Sequence, residues 1–304
     1  MLETDLNHNT ERHPVVSLLL VLVVVALGFV IVGPMIGLLF ALPFYPGSFM
    51  EMAEGLQHPA QHPELKTPLY IMQGFATFVG LILGPAWYLT TERKSFRNLF
   101  PTSMPELLPV AITALIVIVF MAVNSVFIEW NSSYEFPEFA KGFEQWAREK
   151  EDLAGEMTKF LTQFDSGIQV ALALFVIAVL PAVGEEVVFR GMIQNYLLKA
   201  TRNAHVSVWI AAFLFSAIHF QFFGFVPRLL LGALFGYLYL WSGNLWLAIT
   251  AHFVNNGFSV MAMYFYQKGT FDYDLEKPEA VPAHLVMIGA VLTGGLLYYF
   301  YRYF

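Results

Sequence analysis

The residues best suited to chemistry in this 304-residue chain lie where charge is costly. GEEVVFR places Glu185, Glu186 and Arg190 directly after residues 166–184, a stretch with no charged side chain. A charge at the centre of a membrane helix costs about 2.5–3.5 kcal/mol on insertion scales, so such groups persist only if paired, hydrated or used. Further on, FLFSAIHF carries His219, and AHFVNNGF carries His252 and Asn256. Glu186 and Arg190 are four residues apart and share a helix face, and the arginine fork suits a carboxylate. Their pairing leaves Glu185, about 100° round a helix of 3.6 residues per turn, free to point elsewhere. A carboxylate in dry surroundings is a candidate general base. His252 and Asn256 are also four apart. Together they offer an imidazole N–H and an amide NH2 on one surface, a pair able to donate two hydrogen bonds to an oxyanion. Phe215, four before His219, puts a ring one turn from that imidazole.

Each motif alone has a plainer reading. Glu186 and Arg190 suit a structural ion pair between helices. His219 suits a histidine donating to a backbone carbonyl. His252 and Asn256 suit an interhelical polar clamp. The ion-pair reading is incomplete, because one arginine at this spacing satisfies only one of two adjacent glutamates.

The elements that position these groups follow from composition. The chain is 57% hydrophobic and 13% charged, with 30 Phe, 14 Tyr and 6 Trp, where soluble domains run near 25% charged. It has no cysteine, which excludes disulfides, thiolate chemistry and Cys-ligated metal. The apolar runs are continuous and lack alternation, so helices are the spanning solution. The fold class is all-α: a polytopic membrane helix bundle of about eight spans around a central intramembrane active-site cavity. The spans fall near 15–44 (broken at Gly33-Pro34), 68–90, 107–128, 167–188, 206–221, 228–242, 245–266 and 284–302. Residues 1–164 hold three spans and an acidic outer loop at 129–164. Residues 165–304 hold the motifs and a terminal helix, in one integrated domain. Ser242-Gly243-Asn244 forces a tight helical hairpin. The acidic loop reads as a partly helical hairpin on the membrane surface.

Orientation follows from the positive residues. Arg12, Arg93, Lys94, Arg97, Lys199, Arg202 and Arg302 fall on one side if the N-terminus is cytoplasmic. The tail MLETDLNHNTERH lacks the basic start of a cleaved signal peptide, so the first span reads as a retained anchor. Arg228 opens the sixth span and reads as an interfacial anchor, with contact to a substrate carboxylate as the alternative. Asn131-Ser132-Ser133 fits the N-glycosylation pattern, which matters only in a eukaryotic secretory context.

EExxxR, FxxxH and HxxxN in this order, each on its own helix, resemble the CPBP family. These are CAAX proteases and bacteriocin-processing enzymes, also called type II CAAX prenyl endopeptidases. The resemblance covers roughly residues 165–262, including Gly191 after Arg190 and Asn244-Leu245-Trp246 before the His252 helix. It implies an intramembrane endopeptidase. Glu185 would activate water, His219 would hold or polarise it, His252 and Asn256 would stabilise the oxyanion, and Glu186 with Arg190 would position Glu185. Family members have been described both as metalloproteases and as metal-free glutamate peptidases. We expect no cofactor; the alternative is Zn2+ on Glu185, His219 and His252. The expected partners are the lipid bilayer and a membrane-bound or lipidated peptide or protein, with no nucleic acid. The expected location is a bacterial inner membrane. Two non-enzymatic readings stay open: a transporter or proton relay, and an immunity-type protein that binds a peptide.

Overall fold

The computed structural model describes residues 12–100, 104–270 and 281–304, and every regular element in them is helical. The acidic tail 1–11 lies outside these residues. In chain order the principal helices are α1 (Pro14–Phe44), α2 (Phe49–Gly55), α3 (Pro63–Thr91), α4 (Leu107–Ser132), α5 (Lys141–Leu161), α6 (Gly167–Thr201), α7 (Ala204–Ala217), α8 (Phe225–Ser242), α9 (Leu245–Gln267) and α10 (Ala283–Tyr303). Six of them, α1, α3, α4, α6, α8 and α10, are long and apolar enough to cross a membrane. The predicted eight is not reached. α7 has only 14 residues, about 21 Å of helix against a hydrocarbon core of about 30 Å. α9 is long enough, but His252, Asn255 and Asn256 dilute its apolar run. The fourth span, expected to end near residue 188, continues to Thr201.

The predicted break at Gly33-Pro34 is a widened turn instead. Residues Gly28–Val32 bond i to i+5, and the Gly33 N–H donates to Gly28 O. The wider turn absorbs the N–H missing at Pro34 and clears its ring. The same device precedes Pro85, at Val79–Leu83, and Pro181, at Leu174–Val179. A fourth widened stretch, Val187–Gln194, contains no proline and carries Arg190.

Small residues let the rods touch backbone to backbone, as membrane helices do. A Cβ added at Gly80 would lie 2.5 Å from Phe29 N, and one at Gly28 would lie 2.8 Å from Gly80 Cα. The α8–α9 hairpin forms as its sequence predicts. Gly243 takes φ 62° to end α8, and Asn244 Oδ1 caps α9 by accepting from Trp246 N at 3.0 Å. One apolar cluster around Phe235, Leu238, Leu247 and Phe300 joins α4, α8, α9 and α10. Another around Tyr88, Phe189, Met192 and Phe215 joins α1, α3, α6 and α7. Much of the remaining apolar surface faces outward, with Val30 69%, Leu39 68% and Val291 75% exposed. Lipid covers such a surface and water does not. The chain is an integral membrane protein.

The segment expected on the outer face forms a 21-residue helix, α5, rather than a hairpin. It roofs the loop that follows α7. Arg148 lies 4.2 Å over the Phe223 ring, and Glu151 Oε1 accepts from Gln221 Nε2 at 3.2 Å. Asn131, at the end of α4, is buried against the same loop. It donates to Phe222 O at 3.2 Å and accepts from Val226 N at 2.8 Å. Its amide is structural and closed to a glycan.

At the opposite end Glu92 ties three helices together. It accepts from Ser17 Oγ, from Tyr88 OH at 2.9 Å, from Lys94 Nζ at 2.7 Å and from Tyr196 OH at 2.8 Å. Burial alone would raise this carboxyl. The four donors, Lys94 foremost, outweigh it and hold the pKa at about 2, against 4.5 for a free glutamate. A carboxyl depressed on folding adds stability that is present above the unfolded pKa and lost as pH falls through the folded one. Glu92→Gln is therefore expected to cost about 1.5–3 kcal/mol at pH 7, and the gap to the parent should narrow between pH 4.5 and 2. Melting curves in micelles at pH 7 and pH 3 check this. Equal melting of the two proteins at pH 7 contradicts the assigned role.

Candidate active site

The site is built on three helices, with Glu186 and Arg190 at its base. Both are fully buried. Arg190 Nη1 donates to Glu186 Oε1 at 2.7 Å, and Nη2 donates to Gly232 O on α8 at 2.7 Å. The guanidinium lies between the Phe215 and Phe235 rings, 4.8 and 5.5 Å from their centroids. A buried charge needs this degree of pairing. Glu186 Oε1 also accepts from His252 Nδ1 at 2.8 Å. An ionised carboxylate only accepts, so Nδ1 carries the proton and a neutral His252 keeps its lone pair on Nε2. The ring is further held by stacking on Phe235, at 5.3 Å and 24°.

Glu185 takes the opposite role. Its side chain keeps 15% exposure, and Oε2 stands 3.9 Å from His252 Nε2. That is too long for a direct hydrogen bond. Asn256 lies on the other side of the same nitrogen. Its Nδ2 is 3.2 Å from His252 Nε2 and donates to Ile177 O on α6 at 3.0 Å. Asn255 Nδ2 donates to Asn256 Oδ1 at 3.1 Å. Asn255 therefore fixes which way the Asn256 amide points. The expected pair of free donors is modified in the resting geometry. His252 Nε2 accepts, and the Asn256 amide is already engaged.

His219 lies just beyond the end of α7, where the short helix leaves it inside the bundle. Its Nδ1 pairs with Phe215 O at 2.8 Å, the bond that the plainer reading anticipates. With a carbonyl on Nδ1, Nε2 is the nitrogen left for other partners. Phe215 links it to the rest of the cluster, with ring centroids 5.4 Å from His219 and 5.8 Å from His252. Glu185, His252 and Asn256 thus meet around one nitrogen, and His219 faces them across one aromatic ring. Phe220 follows with φ 52°, a left-handed turn that is unfavourable for an aromatic residue.

Residues 167–258 match the family described as Type II CAAX prenyl endopeptidase Rce1-like. The chain carries an Rce1-like segment. That segment contains all six motif residues, from Glu185 to Asn256, and the family is one of intramembrane CAAX-type proteases. A stretch of 82 residues is 33% identical to the uncharacterized protein YpbD of Bacillus subtilis (strain 168), covering 26% of this chain and 39% of YpbD. The chain thus spans well under half the length of that relative. No solved structure matches the chain.

Within the Rce1-like segment, the donor set offered to Zn2+ does not close into a coordination sphere. Among the described residues no group of three His, Asp or Glu side chains is placed to hold a metal ion. The Nδ1 bonds of His252 to Glu186 and of His219 to Phe215 O leave Nε2 as the candidate ligand nitrogen of each ring. Arg228 is the residue whose placement sequence reasoning missed. It is only partly exposed. Its guanidinium lies against Gly224, and Nη2 donates to Gln221 Oε1 at 2.8 Å. The QFFGFVPR spacing held a signal for this: a glycine four residues before the arginine clears room for the guanidinium.

Two sizeable cavities lie elsewhere among the described residues, lined by none of the cluster side chains. One, of about 460 Å³, is an apolar groove between α1, α3 and α6, lined by residues including Phe44, Tyr70, Phe75, Val176 and Leu180. The other, of about 410 Å³, is polar and gathers Arg12, Arg93, Lys94 and Lys199 at one end of the bundle.

Proposed function

We propose that this protein is an intramembrane endopeptidase that hydrolyses peptide bonds of membrane-associated or lipidated substrates by direct attack of water. The observation that carries the reading is the 3.9 Å gap between Glu185 Oε2 and His252 Nε2, beside a glutamate–arginine pair that holds His252 in one tautomer. Water beside Glu185 gives it a proton as the water oxygen attacks the scissile carbonyl carbon. His219 Nε2 accepts the second water hydrogen and aims the nucleophile. The carbonyl oxygen becomes an oxyanion, which takes the Asn256 N–H now resting on His252. Collapse of the tetrahedral species expels the amine, and Glu185 returns its proton to that nitrogen. No covalent intermediate forms, and no cysteine exists to make one.

Three further points support the reading. Val176, in the apolar groove, is the sequence neighbour of Ile177, whose carbonyl accepts from Asn256, which supports an approach of an apolar substrate chain to the cluster along α6. The gathering of Arg12, Arg93, Lys94 and Lys199 at one end supports a cytoplasmic N-terminus in a bacterial inner membrane. The open donor geometry at Glu185, His219 and His252 supports the metal-free route.

The test is cleavage of quenched-fluorescent apolar peptides by purified full-length protein in nanodiscs. Activity is expected to survive dialysis against a strong chelator within about twofold, and His219→Ala is expected to lower kcat by about 10²–10⁴-fold. Loss on chelation that Zn2+ restores would overturn the metal-free route. Parent-level activity in His219→Ala would remove His219 from the chemistry.

A further inference from the structure

Four Lys and Arg side chains and one carboxylate line the polar cavity of about 410 Å³. Arg12 comes from the approach to α1, Arg93 and Lys94 from just past α3, and Lys199 from the last turn of α6. The carboxylate, Glu92, does not balance this set. Its side chain is 6% exposed, and it already accepts from Ser17, Tyr88, Lys94 and Tyr196. The lining therefore keeps an excess of positive charge. A concave surface lined mainly by one sign concentrates counter-ions, and a basic pocket between membrane helices suits a phosphate head group. Among the described residues that line the cavity, Pro14 is the only wholly apolar one, so the space suits a polar head and not an acyl chain.

Helix dipoles account for part of the set. Arg93, Lys94 and Lys199 stand at C-terminal ends, where cations complement the macrodipole. Arg12 stands at the other kind of end. It precedes Pro14, the first residue of α1, by two positions, and a cation there opposes the macrodipole. Neutral groups hold it in place. Nη1 donates to Thr91 Oγ1 at 3.0 Å, and the guanidinium lies 5.8 Å from the Tyr88 ring centroid. Lys94 is fixed in a similar way, 5.6 Å from the Tyr196 ring centroid and 2.7 Å from Glu92 Oε2. Two of the four cations are thus placed before a ligand arrives, which lowers the ordering cost of binding. An arginine fork matches phosphate oxygens with paired hydrogen bonds, and a lysine adds a compact point charge. Donors from three chain segments suit the several oxygens of a phosphate better than the two of a carboxylate.

We propose that this cavity binds a phosphate monoester or diester, received by Arg12, Arg93 and Lys199 over a floor made by Lys94 and Glu92. The ligand bridges α1, α3 and α6, and α6 is the helix that carries Glu185, Glu186 and Arg190. The phosphate belongs to an anionic phospholipid or to a soluble phosphate compound. Its binding does not depend on whether the protein hydrolyses peptides.

The test is calorimetric titration of the full-length protein in neutral maltoside micelles at fixed ionic strength. The probes are dihexanoyl phosphatidylglycerol, inorganic phosphate and the zwitterionic dihexanoyl phosphatidylcholine. One or both of the first two are expected to bind at least about tenfold more tightly than the third and to raise the melting temperature. Phosphatidylglycerol favoured over inorganic phosphate assigns a lipid; equality or the reverse assigns a soluble ligand. Arg93→Gln with Lys199→Gln removes two exposed cations of the cavity and is expected to weaken that binding at least about tenfold. Arg97→Gln with Arg302→Gln removes the same charge outside the lining and is expected to change it less than about twofold. Binding of all three probes within about twofold of one another overturns the proposal on the parent protein alone. A first pair of substitutions that weakens binding no more than the second overturns it as well, because the attraction is then one of overall charge.

Discussion

Glu185→Gln is expected to lower kcat by about 10²–10⁴-fold and to leave the melting temperature at or above that of the parent. The two halves of this expectation come from the same geometry. Glu185 is the carboxylate of the pair that keeps some exposure, and its nearest charged or chargeable neighbour is His252 Nε2 at 3.9 Å. The amide has the same shape, leaves the Glu186–Arg190–His252 chain untouched and removes a charge that is costly in this position. It cannot accept a proton from water at neutral pH, so the reaction loses its base. Melting curves and peptide cleavage on the same preparation decide the matter. Parent-level cleavage would remove Glu185 from the chemistry. A lowered melting point would make it a structural group.

The contrast between the two adjacent glutamates was half legible in the sequence. Spacing alone pairs Glu186 with Arg190, because four residues span about one helical turn. The widened turn over Val187–Gln194 does not spoil the pairing. The bond from His252 to Glu186 crosses 66 positions, and no local pattern encodes it. The order of the motifs suggested proximity and the packing of α9 on α6 supplied it. The tautomer of His252, which turns an expected donor into an acceptor, follows only from that contact. Prolines at 34, 85 and 181 were visible. Their accommodation by widened turns depends on i to i+5 bonds that propensity does not foresee. The eight apolar runs were legible as helices, and their depth was not. α7 is short because the loop bearing His219 is roofed by α4 and α5, a tertiary arrangement that replaces the missing length. Arg228 was misread for the same reason. At the start of a span an arginine is ordinarily an interfacial anchor, and it turns inward here because Gly224 and Gln221 make room and provide a partner.

Glu186→Ala and Arg190→Leu are each expected to destabilise the bundle by about 3–5 kcal/mol, the usual cost of removing one member of a buried ion pair. Without Glu186, two Arg190 N–H groups and His252 Nδ1 lose or lack acceptors, since Arg190 Nε is already unpartnered and Nη1 depends on Glu186. Without Arg190, the fully buried Glu186 keeps only the His252 donor, and Gly232 O loses its side-chain donor. The two penalties should not add. In the double variant Glu186→Gln with Arg190→Met no bare charge remains, and the Phe215–Phe235 slot still holds a side chain of similar length. We expect stability to return to within about 1–2 kcal/mol of the parent. Activity should stay low in that protein, because a neutral amide on Nδ1 no longer dictates which nitrogen of His252 carries the proton. Chemical-denaturation curves for the four proteins measure the coupling, and cleavage assays on the same samples separate folding from function. Additive losses would mean that the pair is not the unit described here. A double variant as active as the parent would mean that the orientation of His252 does not matter to the reaction.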